Sequence, residues 1–233
     1  MIRFKIITLF VACLICGIAG LTEQGESWPS FETENFVPDI HYILDAGHGG
    51  EDGGAVSKTG VPESDINLNI TRKLDVLLGF FGVPTIMTRT EDISLHDKNA
   101  NTLREKKVSD LKNRVHIVQQ YPQATLISIH QNTYPDEKYR GSQVFFAPTV
   151  HSQELACVLQ QTIISTLQPE NTRQEKLIPN TVYLMNHIKN RAVLVECGFL
   201  TNPSEELLLK NSEYQKKLAI TLSSGLILQN QVK

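Results

Sequence analysis

The sequence is short of cysteine and has no strong excess of charge of either sign. Four of its 233 residues are cysteines, and 22 lysines and arginines stand against 25 aspartates and glutamates, a formal net charge of −3. A surface with this balance lacks the basic face that a phosphate backbone requires. No nucleic-acid partner is therefore expected.

The cysteines do not follow the pattern of a disulfide framework. Cys13 and Cys16 lie within the first 20 residues, which leaves Cys157 and Cys197 for the rest of the chain. Both of these lie in apolar runs, LACVL and VLVECGF, where buried thiols are expected. A single bridge between them is the alternative.

Repeats and phosphate-binding glycine patterns are also missing. No period of 20 to 50 residues recurs, which argues against a repeat architecture. The stretch GHGGEDGG contains neither G-x-G-x-x-G nor G-K-[ST], so a phosphate-binding loop is excluded. With 41% hydrophobic and 20% charged residues, the composition is that of one globular domain with a substantial core.

The first residues have the layout of an export signal. Arg3 and Lys5 are followed by 17 residues without charge. This apolar stretch is intermediate in length, so we expect residues 1–20 to be a signal peptide, cut after Ala19, or an uncleaved membrane anchor. Residues 21–40 are polar and rich in turn-forming residues, which predicts a linker.

From residue 41 onward, strand-like runs alternate with helix-like runs. Strands are predicted at HYILDAG, VPTIMTR, ATLISIH, QVFFAP, TVYLM and AVLVEC. Helices are predicted from Ile66 to Phe81, from a Ser109 cap through DLKNRVHIVQQY, and at SQELACVLQQTIISTL, PSEELLL and YQKKLAITLSSGLILQN. This alternation predicts a single α/β domain over residues 41–230, with a mostly parallel, twisted sheet flanked by helices on both faces.

Three apolar strands of the predicted sheet end in an ionisable residue. His48 follows the first strand, His130 ends LISIH, and Glu196 ends AVLVE. Because α/β proteins place their sites at the carboxyl ends of parallel strands, these side chains are expected to converge. His48 and His130 supply two imidazoles, and two imidazoles together with one carboxylate are a familiar ligand set for a catalytic zinc ion. The alternative for Glu196 is a salt bridge with Arg191 or Arg114.

Sequence spacing alone does not decide which carboxylate would complete this ligand set. The nearest candidates are Asp45, Glu51, Asp52 and Glu63. Glu51 could bind beside His48 only if the glycine-rich turn between them folded back tightly. Glu63 lies just before the next predicted helix, where a loop would carry it over the end of the strand. Spacing favours Glu63 over Glu51 only modestly.

Six separated motifs extend this pattern over most of the chain. They are LDAGHGGEDGGA, PESDINLNI, TR, LKNRV, SIHQN and VLVECGFLTNPSE, in this order. Together, over about residues 41–229, they resemble the zinc-dependent N-acetylmuramoyl-L-alanine amidases of bacterial cell walls, the Amidase_3 family. The resemblance implies that His48, Glu63 and His130 bind Zn²⁺ and that Glu196 acts in catalysis.

The resemblance also implies the reaction. The bond expected to be cut joins the lactyl group of N-acetylmuramic acid to the L-alanine of a peptidoglycan stem peptide. Zinc lowers the pKa of a bound water toward about 7 and polarises the carbonyl, and amide hydrolysis needs both effects. Glu196 would take a proton from the water and deliver it to the leaving amine. Arg89 and Arg114 are expected to position loops, and the substrate-binding residues stay unassigned.

The compact, single-domain plan resembles sporulation amidases of the CwlD type. These remove stem peptides in the spore cortex as a step toward muramic-δ-lactam, which germination enzymes recognise. The resemblance implies export across the bacterial cytoplasmic membrane to the cell wall or the cortex, in the intermembrane space of the forespore. Contact with the membrane is expected only through an uncleaved N-terminal segment, and an activating lipoprotein is an implied partner.

Two other functions stay open on the sequence. A zinc carboxypeptidase would need a cation, such as Arg114 or Arg140, to hold a terminal carboxylate. A catalytically idle protein would bind peptidoglycan or activate another hydrolase. A pure binding protein has no need of three metal ligands together with Glu196, which argues against the second function.

Overall fold

A computed structural model describes residues 39–231, so the predicted export segment and nearly all of the predicted linker lie outside the described residues. The strands are β1 Tyr42–Ala46, β2 Thr85–Met87, β3 Thr125–Asn132, β4 Gln143–Phe146, β5 Lys176–Leu177 and β6 Ala192–Phe199. The helices are α1 Glu63–Phe80, α2 Leu103–Gln119, α3 Ser152–Thr166, α4 Tyr183–Asn186, α5 Pro203–Lys210 and α6 Ser212–Gln231. Within this part of the chain, no helix is both long enough and apolar enough to cross a bilayer.

The six strands form one sheet in the order β2-β1-β3-β6-β4-β5. β1 runs parallel to β2 and β3, and β3 runs parallel to β6. β4 is antiparallel to β6, and β5 pairs parallel to β4. Because β1, β3 and β6 are adjacent and parallel, their carboxyl ends meet at one edge of the sheet. Of the residues expected to converge, His48 follows β1, whereas His130 and Glu196 lie within β3 and β6 near their carboxyl ends.

Different helices cover the two faces of the sheet. Alternate strand residues such as Leu44 and Ile127 pack in one buried cluster with α1, α3 and α6. The residues between them, such as Ile43 and Leu126, pack in a second cluster with α2 and α4. The predicted α/β domain, with a mostly parallel sheet and helices on both faces, is confirmed.

Helix α2 begins at Leu103, well before the predicted cap at Ser109. Its N-cap is Thr102, whose hydroxyl accepts the backbone N–H of Glu105 at 3.2 Å. The Glu105 carboxylate accepts the backbone N–H of Thr102 at 2.9 Å, which completes a capping box. The predicted start was wrong because the charged run REKKV, exposed on the first turns, has no apolar period.

The predicted strand TVYLM is wrong, and its residues instead form the short helix α4. The Asn186 side chain donates to the carbonyl oxygen of Val182 at 2.7 Å, which closes the turn. Leu184 and Met185 are buried against the sheet. A short apolar run fits a strand or a buried helix equally well, so periodicity could not decide between them.

Both cysteines of the domain are free thiols, so the alternative of a Cys157–Cys197 bridge is excluded. Cys197 is buried, as expected. Cys157 is exposed, contrary to expectation, because α3 turns Leu155, Ala156 and Leu159 toward the core.

Candidate active site

His48 lies in the loop after β1 in a backbone conformation that is rare for residues other than glycine. Its φ is 61°, in the left-handed region. Arg114 from α2 donates to the carbonyl oxygens of Ala46 and His48, at 2.9 and 2.7 Å. Arg89 donates to those of Ala46 and Gly47, at 2.9 and 3.1 Å. Two buried guanidinium groups therefore position the His48 loop, as predicted for these arginines.

Asp45 forms a buried ion pair with Arg114. Its carboxylate accepts from Arg114 Nη1 at 2.5 Å and from the hydroxyls of Ser128 and Thr88 at 2.6 and 2.8 Å. Burial by itself would raise the pKa of Asp45, but Arg114, these hydroxyls and His130 outweigh burial and lower it to about 2. Asp45 is a buried anion of the scaffold and not a candidate metal ligand.

Glu63 is the first residue of α1. The loop between β1 and α1 brings its side chain back to the carboxyl end of β1. Its Oε1 lies 2.9 Å from His48 Nε2 and 3.1 Å from His130 Nδ1. Its Oε2 accepts the backbone N–H of Ala55 at 3.1 Å. Burial raises the pKa of Glu63, but the two histidines outweigh burial and lower it to about 2. The carboxylate is thus charged at neutral pH.

His48, Glu63 and His130 together form a group that can hold a metal ion. One donor atom from each lies within 4.8 Å of the others, and residues 39–231 contain this one group of three or more such side chains. Ligands about 2.0–2.1 Å from a tetrahedral zinc ion lie about 3.4 Å from one another. The donor types and the short separations therefore fit zinc.

Asp52 fixes the orientation of the His48 ring. Its Oδ2 lies 2.9 Å from His48 Nδ1, the ring nitrogen opposite the one that faces Glu63. Burial lowers the pKa of His48, but the hydrogen bonds to Asp52 and Glu63 outweigh burial and raise it to about 9. A carboxylate in this position fixes the tautomer and makes the other nitrogen a better ligand. On the sequence, Asp52 was considered only as a direct ligand.

Glu196 lies beside this group on the neighbouring strand. It is opposite His130 in the parallel β3–β6 pair, on the face of the sheet that α2 and α4 cover. Its Oε2 is buried and has no hydrogen-bond partner among the described residues. Burial raises the pKa of Glu196 to about 7, although the charges of His130 and His48 oppose the shift. Leaving a buried carboxyl oxygen without a hydrogen-bond partner costs free energy. Such an oxygen is expected in a site where a bound ligand or substrate supplies the missing partner.

The described part of the structure does not contain the other interactions considered for these carboxylates, namely Glu51 as a ligand and Glu196 in a salt bridge. Glu51 is exposed and pairs with Lys106, 2.6 Å away, so it does not reach His48. Arg191 donates to the Thr125 hydroxyl at 2.9 Å rather than to Glu196. Arg114, the other suggested partner of Glu196, is fully used by acidic and carbonyl oxygens of the scaffold.

Two glycines are required by the packing of these side chains. A Cβ atom on Gly47 would lie 2.2 Å from imidazole atoms of His130. On Gly54 it would lie 2.5 Å from Glu63 Cγ and 2.7 Å from His48 Cδ2. Any side chain at either position would displace a member of the metal-binding group.

Comparisons with known proteins identify one family and several relatives. The family model described as N-acetylmuramoyl-L-alanine amidase, Amidase_3, matches residues 43–227. The germination-specific N-acetylmuramoyl-L-alanine amidase of Bacillus subtilis (strain 168) is 34% identical over 185 residues, which cover 79% of this chain and 77% of that protein.

Solved structures share the fold. The CwlD amidase from Clostridioides difficile, in complex with the GerS lipoprotein, is 37% identical with a TM-score of 0.80 and covers 83% of this chain and 100% of that chain. An N-acetylmuramoyl-L-alanine amidase from Clostridium difficile 630 is 30% identical with a TM-score of 0.71 and covers 84% of this chain and 100% of that chain.

Proposed function

The chain belongs to the N-acetylmuramoyl-L-alanine amidase family, and we propose that it works with one zinc ion held by His48, Glu63 and His130. It is an N-acetylmuramoyl-L-alanine amidase, so its substrate is peptidoglycan and the bond it cuts joins N-acetylmuramic acid to L-alanine. The carboxypeptidase and the idle binding protein are therefore set aside. Arg114, one suggested carboxylate holder for a carboxypeptidase, is buried in the scaffold.

The donor set supports zinc as the ion. Two imidazoles and one carboxylate are three protein ligands, the number typical of catalytic zinc sites, whereas structural sites have four. Glu63 is charged at neutral pH, and Asp52 orients the ring of His48. When bound, zinc polarises the scissile carbonyl and lowers the pKa of water toward about 7, so that hydroxide is available at neutral pH.

Glu196 is the proposed catalytic acid and base. Its Oε2 has no partner in the protein and lies beside His130, so it can accept a proton from the attacking water. The same oxygen then delivers that proton to the nitrogen of L-alanine as the amide bond breaks. A pKa of about 7 suits both tasks, since the group is neither a very weak base nor a very weak acid near neutral pH.

The place of this reaction in the cell is inferred from similarity. The Bacillus subtilis relative is germination-specific, and the Clostridioides difficile CwlD amidase is in complex with a lipoprotein. We place the reaction in the spore cortex, as a step toward muramic-δ-lactam, with a lipoprotein as activator. In this proposal residues 1–20 direct export or anchor the chain, residues 21–40 form a linker, and residues 41–230 are the catalytic domain.

The convergence of His48, Glu63 and His130 beside the unpaired Glu196 carries this proposal. The test is mass spectrometry of peptidoglycan digested by the purified full-length protein, with and without a chelator. We expect free stem peptides beginning with L-alanine, together with unsubstituted muramic acid, and their loss on chelation. Products unchanged by chelation would contradict the role of zinc. Full turnover of cortex fragments by the protein alone would remove the need for a lipoprotein.

A further inference from the structure

A concave surface lies outside the metal-binding group, at the carboxyl edge of the sheet that also carries His48, Glu63 and His130. It is a groove of about 840 Å³ between the loop after β3, the segment after α3 and the start of α5. We call it the basic groove and define it by Tyr139, Arg140, Arg173, Asn202 and Glu205.

Arg173 connects the basic groove to the strand β4, which lies beside Glu196. Arg173 donates from Nη1 to the side-chain oxygen of Gln143 at 3.0 Å, and Gln143 is the residue opposite Glu196 in the β4–β6 pair. The guanidinium carbon of Arg173 also lies 4.6 Å from the ring centre of Phe199, at the end of β6. The groove therefore lies one strand away from the position of Glu196.

Within the described part of the chain, neither guanidinium group of the groove forms an ion pair at hydrogen-bond distance, but both lie near the Glu205 carboxylate, where their charges partly offset the rise in its pKa that burial causes. The hydrogen bonds of Arg173 go to neutral acceptors, the Arg140 carbonyl oxygen at 2.9 Å and the amide of Gln143. A cation–π contact with the Phe199 ring further holds its guanidinium group in place. Arg140 is exposed, and within residues 39–231 its side chain forms neither a hydrogen bond nor an ion pair.

Glu205, the buried acidic residue of the groove, is hydrogen-bonded within the protein and holds the sides of the groove together. Glu205 accepts the backbone N–H of Gly141 at 2.8 Å and that of Phe199 at 2.7 Å, one with each carboxylate oxygen. These bonds tie the start of α5 to the loop after β3 and to β6. Both carboxylate oxygens of Glu205 are thus occupied by backbone N–H groups, which leaves hydrogen-bond donors of the two guanidinium groups for a ligand.

A fixed guanidinium group with free N–H donors favours a planar anion with two oxygens. In uncut peptidoglycan the lactyl carboxyl of muramic acid is part of the amide, so free carboxylates belong to the stem peptide. We propose that the basic groove binds a carboxylate of the stem peptide through Arg173 and Arg140, and so makes the enzyme selective for acidic peptides. This inference rests on the proposed function, because it takes the stem peptide as the ligand.

The test is the binding of a synthetic stem peptide to the full-length protein, measured by calorimetry. One form of the peptide has free carboxylates and the other has them converted to amides. The acidic form should bind about 10-fold more tightly, as expected for one charge-assisted hydrogen bond. Arg140→Gln and Arg173→Gln should each abolish this preference, whereas Arg104→Gln, an exposed arginine of α2, should keep it.

Kinetics provide a second readout. Arg140→Gln should raise KM for the acidic substrate and leave kcat nearly unchanged, because the lost contact is the same in the ground state and the transition state. The Arg140 side chain is exposed and forms no hydrogen bond or ion pair within residues 39–231, so this variant decides the test even if Arg173→Gln fails to fold.

Equal affinity for the two peptides, or an equal loss in Arg104→Gln, would overturn the inference. Binding is measured on intact peptide without turnover, which separates this inference from the proposed function. An inactive protein that still discriminates would refute the zinc-amidase mechanism alone. An active protein that does not discriminate would refute the role of the basic groove alone.

Discussion

The two faces of the central strands serve different purposes, although their residues alternate one by one. On the face covered by α1, α3 and α6, β3 presents Ile127 and Ile129, which are fully buried and apolar. On the face covered by α2 and α4, the same strand changes from Leu126 through Ser128 to His130. One face therefore carries apolar packing along most of its length and turns polar only at Gln131, which bonds to Asn67 of α1. The other face gives up apolar packing near the carboxyl edge to position ionisable groups.

The face covered by α2 and α4, called the polar face below, is stable because its charged residues pair with one another inside the domain. Arg114 joins Asp45 and Asp110, and it also holds the His48 loop. The exception on this face is Glu196, whose Oε2 has no partner among the described residues. Paired polar residues on this face therefore maintain the fold, and the unpaired Glu196 is the proposed catalytic group.

Replacing Glu196 by glutamine should have the largest effect. The amide cannot accept the proton of the attacking water, so kcat should fall about 100- to 10,000-fold, as measured on peptidoglycan fragments. The free energy of unfolding and the zinc content should stay close to those of the wild type. The exposed Glu154→Gln is the matched control and should keep full activity. A fall of less than 10-fold in Glu196→Gln would remove Glu196 from the reaction.

Replacing Arg114 by methionine should instead affect folding. Asp45 and Asp110 would both lose their buried partner, which should lower the free energy of unfolding by about 3–5 kcal/mol in denaturant titrations. The exposed Arg104→Met should change it by less than about 0.5 kcal/mol. Equal unfolding midpoints for the two variants would show that the polar face does not depend on this pairing.

Asp52→Asn should weaken zinc binding about 10- to 100-fold, as is typical when the carboxylate behind a histidine ligand is removed. Its neighbour provides the control, because Glu51 pairs with Lys106 in solvent and does not contact His48. Competition with a chelator measures both affinities. If Glu51→Gln weakened binding as much as Asp52→Asn, the effect would come from net charge and not from orientation of the ring.

The smallest effect concerns pH and Asp45. Its pKa is lowered from 3.8 to about 2 in the folded protein, so ionised Asp45 stabilises the fold above about pH 4. About 2 kcal/mol of unfolding free energy should be lost as the pH falls from about 4 to below 2. In Asp45→Asn this part of the pH dependence should vanish, whereas Asp39→Asn should keep it. A wild-type stability that does not change over this range would contradict the buried ion pair.

Strand ends could be predicted from the sequence because an ionisable residue after an apolar run is visible without a structure. His48, His130 and Glu196 were all found in this way. Glu63 could not be chosen on spacing, because its position depends on how the loop after β1 returns the chain. Motif resemblance selected it, and the structure brings it to both histidines.

The supports of the site were harder to predict in detail. Arg89 and Arg114 were expected to hold loops, but their acceptors are backbone oxygens that a sequence does not distinguish. The start of α2 and the identity of α4 were missed for a similar reason. A charged first turn and a short apolar run carry little periodic signal, and tertiary contacts decide their structure.

The most direct test of the account is the zinc content of the purified protein, measured by elemental mass spectrometry. One zinc ion per chain is expected in the wild type, in Glu196→Gln and in Glu51→Gln. In Glu63→Gln most of the zinc should be lost. Full zinc occupancy in Glu63→Gln would contradict the claim that His48, Glu63 and His130 bind the metal ion together.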